Sequence, residues 1–294
     1  GKEHLYVWEK QEGILHENEA AEILYRISAD IHMHGSDIKE GKIELIADCD
    51  GVLKIRRDAL LAVNSLGEMM IASSHGDFPV KKGDKIAGTR IIPLVIEKTK
   101  MDKAEKVAGT KPIFSILPYR SKKVGIITTG SEVQKGLIKD TFTPVLKEKL
   151  DEFSCQILGQ TLPGDERSQI TSDILSFIDQ GADMGICSGG MSVDPDDRTP
   201  GAIKDTGAEI VTYGAPVLPG AMLLLSYYQN NDKIIPILGL PGCVMYARRT
   251  VFDLILPRIM ADDRICADEI ASYGEGGLCL NCDVCTFPNC GFGK

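Results

Sequence analysis

The amino-acid sequence predicts an α/β protein: a three-layer, mostly parallel sheet domain, preceded by a small, mainly β domain. From residue 122 onward, short apolar runs alternate with amphipathic segments through short loops, which is typical of parallel strands covered by helices on both faces. Between residues 41 and 97, short strand-type runs instead follow one another with turn residues between them. The change of pattern predicts two domains of different architecture.

Composition narrows the class of protein. The chain has 294 residues, enough for two domains of roughly 150 residues each. Its content of 43% hydrophobic and 26% charged residues excludes collagen, coiled coil and disorder as the main architecture. The formal net charge of -9 argues against nucleic acid or an anionic membrane as a partner. Since no apolar run approaches the ~18 residues of a membrane span and the start lacks a signal-peptide pattern, we expect a cytoplasmic protein.

Residues 1–118 are predicted to form the N-terminal domain. A leading helix is expected at residues 17–31, because apolar residues recur there at three- and four-residue spacings behind an acidic start. A charged segment, residues 97–106, is predicted to be a linker or an exposed helix. The strands expected between these two segments are residues 42–47, 51–55, 69–72 and 85–93.

Residues 119–266 are predicted to form the α/β domain. Residues 124–128 are a continuous apolar run, as a strand buried on both faces requires. Thr143-Pro144 offers an N-cap followed by proline at the first position of the next helix. The later elements are expected to be a strand at 156–162, a helix at 168–180, a strand at 183–187, a short helix from Thr199-Pro200, a strand at 209–212, a hairpin of 222–227 with 233–238, and a long helix at 244–260.

Three polar, glycine-bearing loops each follow a strand of the predicted sheet. Because the carboxyl ends of parallel strands share one edge, we expect these loops to converge on a ligand site. Glycine lets backbone N–H groups approach an anion and nearby hydroxyls add donors, which fits a phosphate or a carboxylated ring. The alternative is that these glycines only form tight turns. The residues expected to bind the ligand are Thr129, Gly130, Ser131, Glu132, Asp140, Ser188, Gly189, Gly190, Ser192, Asp194, Pro241 and Gly242.

Several carboxylates are expected at the same edge. Beside a phosphate they would repel the ligand unless a divalent cation lay between them, and magnesium is the default. The alternative is that Asp194-Pro195-Asp196-Asp197 forms only a solvated turn before the next helix. The acids concerned are Glu132, Asp140, Asp165, Asp194, Asp196 and Asp197.

Four motifs occur in a fixed order along the second half of the chain. They are Thr128-Thr129-Gly130-Ser131-Glu132-Val133, Pro163-Gly164-Asp165-Glu166, Ser188-Gly189-Gly190-Met191-Ser192 with Asp197-Arg198-Thr199-Pro200, and Gly239-Leu240-Pro241-Gly242. Together they resemble the molybdopterin-binding domain of molybdenum cofactor biosynthesis proteins, over roughly residues 122–260. The resemblance implies a molybdopterin site across the loop edge, with Asp165 and Asp197 in the places of the family's catalytic acids.

The resemblance implies two reactions. An adenylyl group passes from magnesium-bound ATP to the phosphate of the pterin, or molybdate is inserted as the adenylate is cleaved. The sequence departs from the insertase pattern at Ala221-Met222, where the family usually carries Lys-Pro, and at Cys243-Val244, where it usually carries Asn-Pro. Losing the lysine weakens the phosphate end of the site.

Two alternatives to an enzyme of this pathway remain open. The first is a non-catalytic carrier or sensor that binds molybdopterin or its adenylate and docks on a molybdenum enzyme. The second is a nucleotide-pyrophosphate hydrolase. In each case we expect a homo-oligomer.

Residues 267–294 are predicted to be a cysteine-rich tail behind a flexible joint, Gly274-Glu275-Gly276-Gly277. Its four cysteines follow the spacing C-x2-C-x2-C-x4-C, which lets four thiolates surround one metal ion or cluster. Two short gaps favour an iron–sulfur cluster, although the bacterial ferredoxin run has a three-residue final gap and a proline after its last cysteine. Zinc and an unliganded tail remain alternatives. The expected metal ligands are Cys279, Cys282, Cys285 and Cys290.

Overall fold

A computed structural model of the chain describes residues 11–137, 139–191 and 197–294. It divides into two compact units, the first ending at Pro118 and the second beginning at Tyr119. Among the described residues, no helix has both the length and the apolar character needed to cross a membrane. The elements of the first unit are β1 (Ile14–His16), α1 (Glu17–Ser28), β2 (Met33–Gly35), β3 (Lys42–Ala47), β4 (Gly51–Ile55), α2 (Arg57–Asn64), β5 (Met69–Ser73), β6 (Phe78–Val80), β7 (Lys85–Ile91), β8 (Val95–Glu97), α3 (Lys98–Ala108) and β9 (Phe114–Pro118).

The first unit is built on small antiparallel sheets. One has the order β2-β3-β7-β5, a second has the order β6-β4-β9, and β1 pairs with β8. Leu24 and Ile27 of α1 join Leu45 and Ile71 in one apolar core. Helix α1 ends three residues before the predicted end at Ile31, because the chain turns to an extended conformation at Ala29.

The second unit carries the α/β fold. Its elements are β10 (Lys123–Thr129), α4 (Ser131–Gln134), α5 (Phe142–Asp151), β11 (Gln156–Gly164), α6 (Arg167–Asp179), β12 (Met184–Ser188), α7 (Thr199–Asp205), β13 (Glu209–Tyr213), β14 (Leu224–Asn230), β15 (Lys233–Leu240), a 3-10 helix (Gly242–Met245), α8 (Val251–Met260) and α9 (Ala267–Ser272).

The six strands of the second unit form one sheet of order β11-β10-β12-β15-β14-β13. Strands β11, β10, β12 and β15 are parallel, and β14 pairs antiparallel with both of its neighbours. Ile127 faces α6 and shares a core with Ile174, while Thr128 faces the other way and lies 3.4 Å from Thr143 of α5. Helices therefore cover both faces, and the prediction of a three-layer, mostly parallel sheet is confirmed.

Two helix starts differ from the predictions. Helix α5 begins at Phe142, two residues before the predicted start at Pro144. It begins there because the Asp140 carboxylate accepts the N–H groups of Phe142 and Thr143, which are the first of the helix. The long helix expected at residues 244–260 is divided into the 3-10 helix and α8. It divides there because Thr250 and Asp253 form a capping box that starts a new helix at Val251.

The glycines before the first tail cysteine pack closely against neighbouring backbone. An added Cβ at Gly276 would lie 2.0 Å from the Lys294 carbonyl oxygen, and one at Gly277 would lie 2.3 Å from that of Pro216. The Leu218 N–H donates to Gly277 O, and the Cys279 N–H donates to Leu218 O, each at 2.8 Å. These glycines thus let the tail approach the α/β unit closely instead of acting as a flexible joint.

Candidate functional site

The carboxyl ends of four parallel strands lie level at one edge of the sheet, which we call the carboxyl edge. Thr129 pairs with Gly164, Thr128 with Ser188, and Ser188 with Leu240. The chain runs from β10 to β11 on one side and then returns to β12 on the other side. The strand order therefore reverses between β10 and β12, which is where open α/β sheets bind ligands.

Buried hydroxyl groups form hydrogen bonds between the ends of β10 and β12 and the start of α7. The Thr129 hydroxyl donates to Ser188 O at 3.1 Å and lies 3.1 Å from the Thr199 hydroxyl, which donates to Gly189 O at 2.9 Å. The side chains of Thr129, Ser188 and Thr199 are all buried. We expected Thr129 and Ser188 to offer hydroxyls to a ligand, but burial directs them inward, where they brace the loops after β10 and β12.

The two residues after β12 must be glycines because they pack closely against Thr129 and Thr199. Gly189 has φ of 85° and Gly190 has φ of 54°, both in the left-handed region. An added Cβ would lie 2.5 Å from Thr129 O at Gly189 and 2.9 Å from the Thr199 hydroxyl oxygen at Gly190. Side chains are thus excluded on the inner side of this loop.

The loops after β10 and β11 are joined by their backbones. The Gly130 N–H donates to Gly164 O at 3.2 Å, and the Ser131 N–H donates to a carboxylate oxygen of Asp165 at 2.8 Å. Asp165 is exposed, so its second oxygen is accessible from solvent. At Gly130, an added Cβ would meet no atom nearer than 3.9 Å, and the backbone is therefore open to an approaching group.

Asp140 anchors a polar network on the α5 side of the carboxyl edge. Its carboxylate accepts the N–H groups of Phe142 and Thr143 and, at 2.6 Å, the amide of Gln160. The Gln160 amide also donates to the Thr128 hydroxyl at 2.9 Å. Burial raises the pKa of Asp140, but the hydrogen bonds from Thr143, Gln160 and Phe142 together lower it below its usual value. Asp140 therefore stays ionised and caps α5.

Replacing Asp140 with asparagine is expected to lower the free energy of unfolding by about 1 kcal/mol at pH 7, because the new amide faces the Gln160 amide and one cap bond weakens. The native pKa of Asp140 lies below that of the unfolded chain, so its contribution is present above about pH 4 and is lost as pH falls through the native pKa. Urea unfolding at pH 7 and pH 3 should show the difference from the parent shrinking at pH 3. A difference that is unchanged at pH 3, or one matched by the exposed control Asp232→Asn, would contradict this.

Tyr213, at the end of β13, also lies at the carboxyl edge, and no sequence pattern predicted it there. Tyr213 pairs with Leu224, which pairs with Gly239, so β13 ends level with β15. Burial raises the pKa of the Tyr213 hydroxyl, and the negative charge of nearby Asp197 raises it further. Asp197, one of the two predicted catalytic acids, therefore lies within electrostatic range of the Tyr213 hydroxyl.

The third predicted loop, after β15, reaches the start of α5. Pro241 precedes the 3-10 helix that Gly242 begins, and the Thr141 hydroxyl lies 3.3 Å from the Met245 sulfur. Glu132 is exposed on the short helix α4. The structure thus brings residues of all three loops, together with Asp165, to one edge. Ser192, Asp194 and Asp196 lie outside the described residues.

The four tail cysteines line a single cavity of about 250 Å³. All four are free thiols; Cys282 and Cys285 are exposed, and the other two are half-buried. The Phe287 N–H lowers the pKa of Cys285 and outweighs its slight burial, and the guanidinium groups of Arg249 and Arg248 lower it further. Within residues 11–137, 139–191 and 197–294, no three Cys, His, Asp or Glu side chains are grouped so as to hold one metal ion.

Comparison with known proteins finds sequence matches to the α/β unit. A family model for a probable molybdopterin binding domain matches residues 125–261. A molybdopterin molybdenumtransferase of Synechococcus elongatus is 25% identical over 193 residues, which cover 63% of this chain and 44% of that relative. A CinA-like protein of Mycolicibacterium gilvum is 37% identical over 79 residues, or 27% of this chain and 19% of that relative. The chain spans less than half the length of these curated relatives.

Solved structures align with about half of the chain. A tungsten cofactor synthesizing protein, MoaB, from Pyrococcus furiosus aligns with a TM-score of 0.41 and 16% identity over 50% of this chain and 99% of that chain. A molybdopterin biosynthesis Mog protein from Mycobacterium ulcerans aligns with a TM-score of 0.36 and 17% identity over 51% of this chain and 100% of that chain.

Proposed function

Because residues 125–261 belong to the family of probable molybdopterin binding domains, we propose that the carboxyl edge binds molybdopterin or its adenylate during biosynthesis or maturation of the molybdenum cofactor. One observation carries the proposal. The ends of β10 and β12 flank the point where strand order reverses, and hydrogen bonds of the Thr129 and Thr199 hydroxyls join these strand ends to the start of α7. A site that is braced before binding loses little conformational freedom when the ligand arrives.

The groups exposed at this edge fit an anionic pterin. Gly130 and Gly242 leave their backbones open, since an added Cβ would meet no atom nearer than 3.9 Å at either residue. Glycine at these positions lets a phosphate approach the main chain closely, although the Gly130 N–H itself already donates to Gly164 O. Gly189 and Gly190 would hold the pterin or its phosphate on their outer side, while their inner side packs on Thr129 and Thr199.

The carboxylates at the edge fit a magnesium ion that arrives with ATP. Magnesium usually keeps several waters and binds one or two carboxylates together with substrate phosphates, so it requires no cage of three protein ligands. Asp165 and Asp197 are the carboxylates that would hold it. When bound, the ion would neutralise the phosphate charge that these acids otherwise repel. The Ser131 N–H that bonds Asp165 would keep that carboxylate oriented.

The reaction that such a site would serve is adenylyl transfer or molybdate insertion. Asp197→Asn is expected to keep molybdopterin affinity within about tenfold and to stop turnover, because the change removes a charge but little volume. Anaerobic equilibrium titration measures the affinity, and product formation from magnesium-ATP and molybdopterin measures turnover. The control is Asp232→Asn, in the turn between β14 and β15 at the opposite end of these strands. Equal turnover in Asp197→Asn and the parent would remove Asp197 from the mechanism.

The second candidate function is a non-catalytic carrier that docks on a molybdenum enzyme. The observation that favours it is Ala221 in the loop before β14. An alanine at this position supplies no positive charge to neutralise a phosphate. Tight molybdopterin binding without an adenylated product in the parent chain would support the carrier. Phosphate release from a nucleotide in the absence of pterin would instead support a nucleotide-pyrophosphate hydrolase.

A further inference from the structure

We propose that the cysteine tail binds a 4Fe–4S cluster through Cys279, Cys282, Cys285 and Cys290, at a site separate from the carboxyl edge. All four side chains line the same cavity of about 250 Å³. The ligand set contains four thiols and no histidine, a set that this cluster shares with structural zinc sites, so the spacing of the thiols has to distinguish the two. The two-residue gaps match the bacterial ferredoxin run rather than the plant-type run of 2Fe–2S proteins, whose first gap is four residues.

The size of the cavity is compatible with a cluster of several atoms. Four sulfurs bound to one zinc at about 2.3 Å would lie about 3.8 Å from one another and would leave no space between them. The cavity that the four cysteines help to line, about 250 Å³, has room for a group of several atoms, and the two-residue gaps favour the cluster over zinc.

The fourth cysteine also fits one cluster. In two-cluster ferredoxins the last cysteine of the run ligates the other cluster. Here the four-residue gap and the Thr286–Asn289 turn, closed by an N–H bond of 2.7 Å, return Cys290 to the cavity that the first three cysteines line. The tail can therefore supply all four ligands.

The walls of the cavity are fixed by contacts with the α/β unit. The Arg248 guanidinium donates to Asp283 O at 2.7 Å, and the Arg249 guanidinium lies 5.0 Å from the centre of the Phe287 ring. Phe287 in turn lies 6.1 Å from Phe292, which is buried. The cysteine loop is thus held on both sides of Cys285 without any metal ligand contributing to these contacts.

The charge of the cavity wall matches that of a cluster. A 4Fe–4S core in its 2+ state bound to four thiolates carries a net negative charge. Arg248 and Arg249 both line the cavity and supply positive charge beside it. The exposure of Cys282 and Cys285 places the cluster near the surface.

Cluster insertion balances without an oxidant or reductant when the donor already carries the core on thiolates. Four donor Fe–S bonds break and four Fe–S bonds to cysteine form. The four cysteine protons pass to the departing thiolates, and no electron is transferred.

The test is metal and sulfide analysis of the full chain, purified without oxygen and loaded from a thiolate-ligated 4Fe–4S donor. About four irons and four acid-labile sulfides per chain are expected, together with a paramagnetic resonance signal that appears on reduction with dithionite. Cys282→Ser and Cys285→Ser should each lose most of this iron. Cys266→Ser, which alters an exposed cysteine outside the cavity, should keep it.

Circular dichroism and the melting temperature establish that each variant is folded. Cys282 and Cys285 are both exposed, so replacing either thiol with a hydroxyl is not expected to disturb the fold, and each variant is a separate test of the site. One zinc per chain without sulfide, two irons per chain, or no metal bound by a folded parent would each overturn the proposal. Equal iron in Cys285→Ser and Cys266→Ser would also overturn it.

Discussion

Gly189→Ala is expected to destabilise the α/β unit by about 3 kcal/mol and to abolish molybdopterin binding. Left-handed backbone costs a residue with a Cβ roughly 1–2 kcal/mol, and forcing an atom into a packed site adds about 1–3 kcal/mol. Both costs apply because Gly189 has φ of 85° and its added Cβ would lie 2.5 Å from the Thr129 carbonyl oxygen. The contacted atom is a backbone oxygen, which cannot rotate away as a side chain could. The backbone at Gly189 must therefore move to accommodate the Cβ.

Gly207→Ala is the matched control for this prediction. Gly207 has φ of 86°, and an added Cβ there would meet no atom within 4 Å. It is therefore expected to cost only about 1–2 kcal/mol, with molybdopterin affinity unchanged. Urea unfolding and anaerobic titration measure the two quantities. Equal destabilisation by both variants, or full affinity in Gly189→Ala, would contradict the account of the braced loops.

The sequence predicted that the loops after β10, β12 and β15 share one edge of the sheet, but it did not predict the direction of the side chains there. Apolar runs marked β10 and β12, and glycines marked the loops that follow them. The burial of the Thr129 hydroxyl depends on Thr199, which is 70 residues away and contributes the other half of the contact. Strand periodicity assigns a residue to a face of the sheet, but not to a partner on a distant helix.

The other differences between the sequence predictions and the structure also arise from contacts between residues that are distant in the sequence or from competing local signals. The start of α5 was misplaced because Thr143-Pro144 matched the cap signal, whereas Asp140 makes the cap bonds. Tyr213 could not be found because its relation to Asp197 arises from two antiparallel pairings across the sheet. Gln160 had no distinct signal, because β11 also contains the polar residues Gln156 and Thr161. The joining of the tail to the α/β unit depends on Gly276 and its contact with the chain end.

Arg258→Met is expected to lower the free energy of unfolding by about 3 kcal/mol, the range found when one partner of a buried ion pair is removed. Arg258 lies in α8 with 2% of its side chain exposed, and it donates to Asp263 at 2.5 Å and to Glu269 at 2.6 Å. Burial lowers the pKa of Arg258, but Asp263 and Glu269 raise it well above its usual value, so the guanidinium stays charged. Methionine keeps much of the volume but leaves the Asp263 carboxylate without this cation.

Arg264→Met is the control for the buried pair. Arg264 is 52% exposed and donates to Glu209, which is 72% exposed, so its loss is expected to cost about 0–1 kcal/mol. Urea unfolding of both variants at pH 7 measures the difference. Equal effects of the two substitutions would show that Arg258 acts as a surface cation and would contradict its assigned place in α8.

The most direct test of the central claim is a crystal structure of the full chain soaked with molybdopterin under anaerobic conditions. The account predicts density for the ligand at the carboxyl edge, with its phosphate beside the loops that begin at Gly130 and Gly189 and its charge near Asp165 and Asp197. Density at the opposite end of the sheet, or an empty edge at a concentration that saturates the protein in solution, would contradict it.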